Sequence, residues 1–127
     1  MMYSHEYDRA YHPPMPVAEV QISSYEQPER VVTVQAIVDS GSDGTFLPER
    51  VLRELGAESV REVWVSGIQD IRYQARVYMV KLAIGSYEFF GTRVVGDVQG
   101  RAILGRNVLN QAIVNLNGLA NVVEISQ

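Results

Sequence analysis

The segment QAIVDSGSDGTFLP, residues 35–48, brings the carboxylate of Asp39 to the end of an apolar run and surrounds it with small residues. A charge beside a core is costly unless it is hydrogen-bonded, paired or used in chemistry. Asp39-Ser40-Gly41 by itself is an ordinary turn tripeptide. Three features set this copy apart. It follows the strand-like run Val31 to Val38 directly, which puts the turn at a sheet edge. It leads into Ser42, a second acid, Asp43, then Gly44 and the apolar TFLP. Farther along, AILGRNVLNQ, residues 102–111, runs two apolar residues straight into Gly105 and a short helix. Other chemistries lack their parts. The chain has no cysteine, which removes thiolate nucleophiles, disulfides and Cys-based zinc sites. Its two histidines, His5 and His12, both lie in the N-terminal stretch, so neither a His-based hydrolase nor a His-rich metal cage can be assembled. No metal and no cofactor is expected.

The elements around Asp39 read mostly as strands. Ala18, Val20 and Ile22 share one side of a strand with Glu19 and Gln21 opposite, and YEQPER is a turn pivoting on Pro28. Val32, Val34, Ala36 and Val38 alternate with Thr33, Gln35 and Ile37 in the strand that delivers Asp39. LPERVLRELGA predicts a helix: Pro48 suits a first-turn position, Glu49 complements the helix dipole, Val51, Leu52 and Leu55 form a buried stripe, and Gly56 ends it. Strands follow at Val60 to Val65 and Ile71 to Leu82, and Gly85-Ser86 reads as a two-residue hairpin turn. Arg93 to Val95, Ala102 to Leu104, Ile113 to Leu116 and Val122 to Ile125 are short β segments, with a brief helix over Asn107 to Gln111. Many short strands with one or two helices predict a mostly β domain, a small barrel or sandwich.

At 127 residues the chain is most simply one domain, residues 17–127, behind a tail, residues 1–16, where Pro13, Pro14 and Pro16 forbid regular structure. That tail is expected to be flexible, with a docked arm or removable pro-segment as alternatives. A net charge of -4, with one lysine and scattered arginines, excludes a phosphate-backbone binder, so no nucleic-acid partner is expected. No apolar run approaches a membrane-spanning length and the N-terminus lacks the pattern of a signal peptide, so the expectation is a cytoplasmic protein without a membrane partner.

The segments AIVDSGSDGTFLP and AILGRNVLNQAIVNLNG together resemble the two signature segments of the retropepsin-like aspartic proteases, the viral-protease type found also in bacteria and eukaryotes. The likeness runs from about Val17 to Leu116 and is to a single-lobe, bacterial-type member. It implies a small closed β-barrel-like lobe with one or two short helices and a mobile hairpin flap over a peptide groove. It implies an aspartic endopeptidase in which two carboxylates share a proton: the ionised one takes a proton from water while the protonated one polarises the scissile carbonyl. Asp39, Ser40 and Gly41 match the catalytic loop. Gly41 lets water and substrate backbone come close, and Ser40, where threonine is commoner in the family, can bond to its counterpart.

Only half of the carboxylate pair is present, since none of Asp8, Asp43, Asp70 and Asp97 begins another such tripeptide. The simplest completion is a twofold homodimer, each copy giving its Asp39, with a peptide or protein as substrate. The resemblance places Asp43 beside the substrate backbone, with Arg106 as its ion-pair partner, and Thr45 and Asn107 bonded near the helix start after Gly105. It places Ile37, Phe46 and Ile103 in apolar substrate pockets, and Trp64, Ser66, Gly67 and Ile68 on the flap, although Gly67 also fits a plain hairpin turn and Trp64 a core position. The C-terminal LANVVEISQ fits either interface strands or packing on its own subunit. Two other functions stay open: a protease-like dimerisation or peptide-binding module without turnover, and a monomeric β-barrel that binds a small ligand.

Overall fold

The structure is a computed structural model that describes residues 2–67, 69 and 71–127. Ten strands and two short helices are present among them: β1 (Tyr3–Glu6), β2 (Val17–Ser23), β3 (Val32–Val38), β4 (Thr45–Pro48), α1 (Glu49–Glu54), β5 (Glu58–Ser66), β6 (Arg72–Ile84), β7 (Tyr87–Asp97), β8 (Ile103–Leu104), α2 (Arg106–Leu109), β9 (Ile113–Asn117) and β10 (Val122–Ser126). The main sheet runs in the order β2-β3-β8-β4-β7-β6-β5, and an additional β2–β6 pairing closes it. Six strands therefore form a closed barrel, and β5, paired to β6 alone, projects from it. This is the mostly β barrel lobe that the sequence implies.

Alternation in sequence becomes alternation in burial. Ala18, Val20 and Ile22 on β2 are fully buried while Glu19 and Gln21 are exposed, and Ala36 and Val38 fill the same core from β3. Leu82 and Ile84 of β6, Phe89 and Val94 of β7, Leu47 and Leu104 complete it. Helix α1 lays Val51, Leu52 and Leu55 on this core. It ends as the sequence predicts: Gly56 takes φ +66, its N–H bonds to the Arg53 carbonyl, and the Ala57 N–H reaches back to Leu52. That is a Schellman motif, in which a left-handed glycine lets two terminal carbonyls find donors. The helix begins one residue later than expected, because Pro48 is still paired with Asp97 in the β4–β7 ladder.

The N-terminal stretch differs from its expectation as a flexible tail. Tyr3 to Glu6 pair with Ile125 to Val122, and β10 in turn pairs with β9, giving a second sheet in the order β1-β10-β9. The Glu19 N–H donates to the Tyr3 hydroxyl at 2.9 Å, and burial pushes the Tyr3 phenol up. Only the proline-bearing loop from Arg9 to Pro14 is irregular, and an Asp8–Met15 bridge closes even that. Of the C-terminal segment, Val123 and Ile125 are buried in the common core of this chain.

Two outcomes follow from this second sheet. Amides in Tyr3–Glu6 exchange with solvent more slowly than those of residues 9–12, as native-state hydrogen exchange will read. Ile125→Ala lowers stability by about 2–5 kcal/mol, seen as a drop in the urea midpoint.

Candidate active site

Asp39 is held by its backbone from both sides. Strand β3 lies parallel to β8, with Ile37 opposite Ile103 and Val38 opposite Leu104. The Asp39 N–H continues that ladder by donating to the Leu104 carbonyl at 3.0 Å, and the Ser42 N–H donates to the Asp39 carbonyl at 3.2 Å. One carboxylate oxygen, Oδ1, accepts the Gly41 N–H at 2.9 Å. A Cβ on Gly41 would stand 3.0 Å from the same oxygen. The other oxygen has no protein donor among the described residues. No buried side-chain oxygen lacks a partner there, so Oδ2 is not sealed in the core. Asp39 is thus held through its backbone and one carboxylate oxygen.

The second signature segment braces this loop. The Gly105 N–H donates to Thr45 Oγ1 at 3.0 Å, and that hydroxyl donates to Asn107 Oδ1 at 2.7 Å. The Asn107 amide donates to the Arg93 carbonyl, and the Arg106 N–H to the Ser42 carbonyl. A Cβ on Gly105 would lie 2.0 Å from the Gly44 carbonyl oxygen, so the two segments touch backbone to backbone. Thr45, Gly105 and Asn107 therefore meet as one structural junction. Arg106 joins it differently from its expectation. No Asp43–Arg106 ion pair forms among the described residues; instead the Arg106 guanidinium donates to the Ser40 carbonyl at 2.9 Å. A guanidinium carries five donors, and here one of them steadies the catalytic-type turn itself.

A cleft of about 740 Å³ opens beside the loop. Gly41, Asp43 and Phe46 line its floor, and Trp64 and Ser66 of the β5–β6 hairpin line its roof. Trp64 is 61% exposed, which excludes the core position, and the Arg72 guanidinium lies over its ring at 5.3 Å. Gly67 is not in the described lining of the cleft; its N–H bonds to the Ile71 carbonyl at 2.8 Å. Ile68 lies outside the described residues.

Ile37 and Ile103 lie outside the lining of this cleft. They line a second cleft of about 430 Å³, together with Tyr11, Arg50 and Arg101. Phe46 and Ile103 are register partners across β4 and β8, so their side chains stand on one face of the sheet, Phe46 in the lining of the first cleft and Ile103 in that of the second. Asp39 stands between the clefts along the chain, with Ile37 two residues before it in one and Gly41 two residues after it in the other. Sequence reasoning also missed Arg61, Arg93 and the apolar lining Val63, Val77 and Val95, because isolated arginines between valines look like any solvent-facing strand positions. Asp97 was missed as well. It is buried, accepts the Gln99 N–H at 2.8 Å and the Arg101 Nε at 2.7 Å, and so anchors the loop at the rim of the second cleft. The Asp97 carboxylate raises the Arg101 pKa through that hydrogen bond. Among the described residues no cluster of acids and histidines could hold a metal ion.

The junction generates a contrast between neighbouring glycines. Gly105→Ala forces the Gly44 backbone away and lowers stability by more than about 2 kcal/mol, whereas Gly44→Ala meets open space and changes the melting temperature little. Thr45→Val removes both hydroxyl bonds and leaves the Gly105 N–H buried and unpaired, costing about 1–3 kcal/mol in the same melts.

Comparisons with known proteins agree with this architecture. The fold is similar to a retropepsin-like aspartic protease from Rickettsia conorii, with a TM-score of 0.65 and 14% identity over 98% of this chain and 89% of that one. It is also similar to the EIAV protease complexed with the inhibitor HBY-793, with a TM-score of 0.56 and 19% identity over 76% of this chain and 86% of that one. The retroviral protease-like domain of Ddi1 from Leishmania major matches with a TM-score of 0.52 and 15% identity over 87% of this chain and 93% of that one. No curated protein sequence matches. The family model for aspartyl proteases matches residues 18–108, which include the Asp39 loop and the bracing segment after Ile103. The chain belongs to the aspartyl protease family.

Proposed function

We propose that this chain is an aspartic endopeptidase that acts as a homodimer, with the Asp39 carboxylates of two copies sharing one proton. The observation that carries the reading is the Asp39 loop itself. Its backbone is locked by β8, one carboxylate oxygen is held by Gly41, and the residues that follow it, from Gly41 to Phe46, line a cleft shared with the β5–β6 hairpin. One chain holds one such loop, and catalysis by this route needs two acids of unequal proton affinity. A twofold axis through the loops supplies the second.

The chemistry then runs without a covalent intermediate. The ionised carboxylate takes a proton from water, and the water oxygen attacks the scissile carbonyl carbon. The protonated carboxyl gives its proton to the carbonyl oxygen, which makes the tetrahedral species neutral. Collapse breaks the C–N bond as the nitrogen gains a proton from the carboxyl protonated in the first step, while one hydroxyl of the diol returns its proton to the other carboxylate as the product carbonyl forms, and the pair is left sharing one proton again. Gly41 keeps the approach open, and the exposed Ser40 is placed to bond to the partner loop. Peptide is held between the Phe46 floor and the Trp64 and Ser66 roof, and Ile37 and Ile103 contribute the apolar wall of the second cleft. The exposed Ile113, Leu116 and Leu119 offer apolar surface for a second copy. No helix among the described residues is long and apolar enough to cross a membrane, and we place the enzyme in the cytoplasm, acting on peptide and not on nucleic acid.

Asp39→Asn tests this directly. Cleavage of a mixed peptide substrate falls by more than about 10²-fold while sedimentation still shows a dimer. Unchanged cleavage removes Asp39 from the mechanism, and a wild-type dimer that cleaves nothing at any pH supports a peptide-binding module instead. A second outcome follows from the shared site. Excess Asp39→Asn chain mixed with wild type depresses activity per wild-type chain, because mixed dimers lack one acid, and wild-type specific activity rises with concentration up to the dimer Kd.

A further inference from the structure

The cleft beside Asp39 carries a charge opposite to that of the protein around it. The chain has a net charge of -4. Yet Arg61, Arg93 and Arg106 all line the cleft, against one acid, Asp43, among the described residues. Arg61 and Arg93 form no ion pair or side-chain hydrogen bond among the described residues, and Arg106 uses its guanidinium on the Ser40 carbonyl, leaving donors over. The arginines that do have carboxylate partners, Arg53 and Arg101, bond elsewhere. The second cleft, with Arg50 and the Asp97-paired Arg101, has no acid in its lining among the described residues. Lys81, away from both clefts, is paired with Glu88. Three guanidiniums with no carboxylate partner among the described residues thus line the cleft where a peptide would lie.

We infer that the groove selects acidic peptides, with aspartate or glutamate side chains held by Arg61 and Arg93 under the β5–β6 hairpin. This rests on the reading of the cleft as a peptide site and adds the class of peptide it takes. The physical case is charge complementarity. Guanidinium presents a planar fork that matches a carboxylate in two-point geometry. A concave site lined by one sign of charge raises the local concentration of oppositely charged ligand. Asp43 orients the acceptance: it repels a carboxylate on the floor by the Asp39 loop and leaves the hairpin side and the β7 side as the places for an acid. Selection requires ionised substrate. It is therefore present above about pH 4.5 and fades as pH falls through the ordinary Asp and Glu range near 4. It also weakens with salt, since these arginines are exposed.

A defined, sequence-diverse peptide library analysed by mass spectrometry tests this in two arms. Wild-type protein is read for cut sites, and the Asp39→Asn protein, immobilised, is read for retained peptides, each at pH 5.5 and pH 3.5 and at low and high salt. The expected result is Asp and Glu enrichment of about two- to fivefold near cut sites and in retained peptides at the higher pH, reduced at the lower pH and in high salt. Arg61→Gln combined with Arg93→Gln in the Asp39→Asn background erases the enrichment while the melting temperature stays within the wild-type range. Cut sites or retained peptides with no acidic enrichment overturn the inference and leave the protease reading standing. Acidic peptides retained without any cutting by the wild type support the inference and overturn the protease reading. Neither cutting nor retention overturns both.

Discussion

A carbonyl oxygen occupies the place where the side chain of residue 105 would begin. The Gly44 carbonyl is 2.0 Å from the position a Cβ on Gly105 would take, and this contact sets the distance between the two halves of the site. Every other feature around Asp39 follows from it. Thr45 can bridge Gly105 and Asn107 only because the backbones are this close, and the Arg106 N–H can reach Ser42 for the same reason. The buried polar junction is fully satisfied, so it is rigid rather than merely tolerated. A catalytic-type carboxylate on a loop needs this kind of support, because positional error in the reacting groups is expensive in rate.

Barrel topology makes the contact possible. Parallel pairing of β3 with β8 and of β4 with β7 joins segments distant in sequence, and the β2–β6 pairing closes the ring around one core. Strand β5 is left outside the closed ring with only β6 as neighbour. Its exposed Trp64 and Ser66 are therefore available to cover a ligand, whereas no barrel strand could move without breaking two ladders. Stability and access are divided between parts of the same sheet.

Much of this was legible in the residues themselves. Alternation placed β2 and β3, the run of Val51, Leu52 and Leu55 placed α1, Gly56 ended it, and Gly85-Ser86 turned β6 into β7. The Asp39 tripeptide and the Gly105 segment were legible together because strand-then-turn and strand-then-helix patterns bracket them. Three things were not. Strand β1 has only four residues, and its partner β10 comes from the other end of the chain, so no local pattern announces it. The period of a strand tells which residues share a face but not which cleft that face lines, so Arg61, Arg93, Val63, Val77 and Val95 gave no sign of lining one. Likewise a family pattern brings Arg106 near Asp43 without fixing the rotamer, and the guanidinium went to the Ser40 carbonyl.

The pairing of β1 with β10 has a consequence for chain integrity. Glu6 and Met15 bracket an exposed, proline-bearing loop, so a nick there severs β1 from covalent attachment to the barrel. Once that strand diffuses away, β10 presents a row of unsatisfied backbone amides and carbonyls beside the apolar Val123 and Ile125. Such an open edge is adhesive toward any extended polypeptide. The first strand thus acts as a seam binding: while it stays in place, the lobe keeps its own margin from fraying into its neighbours.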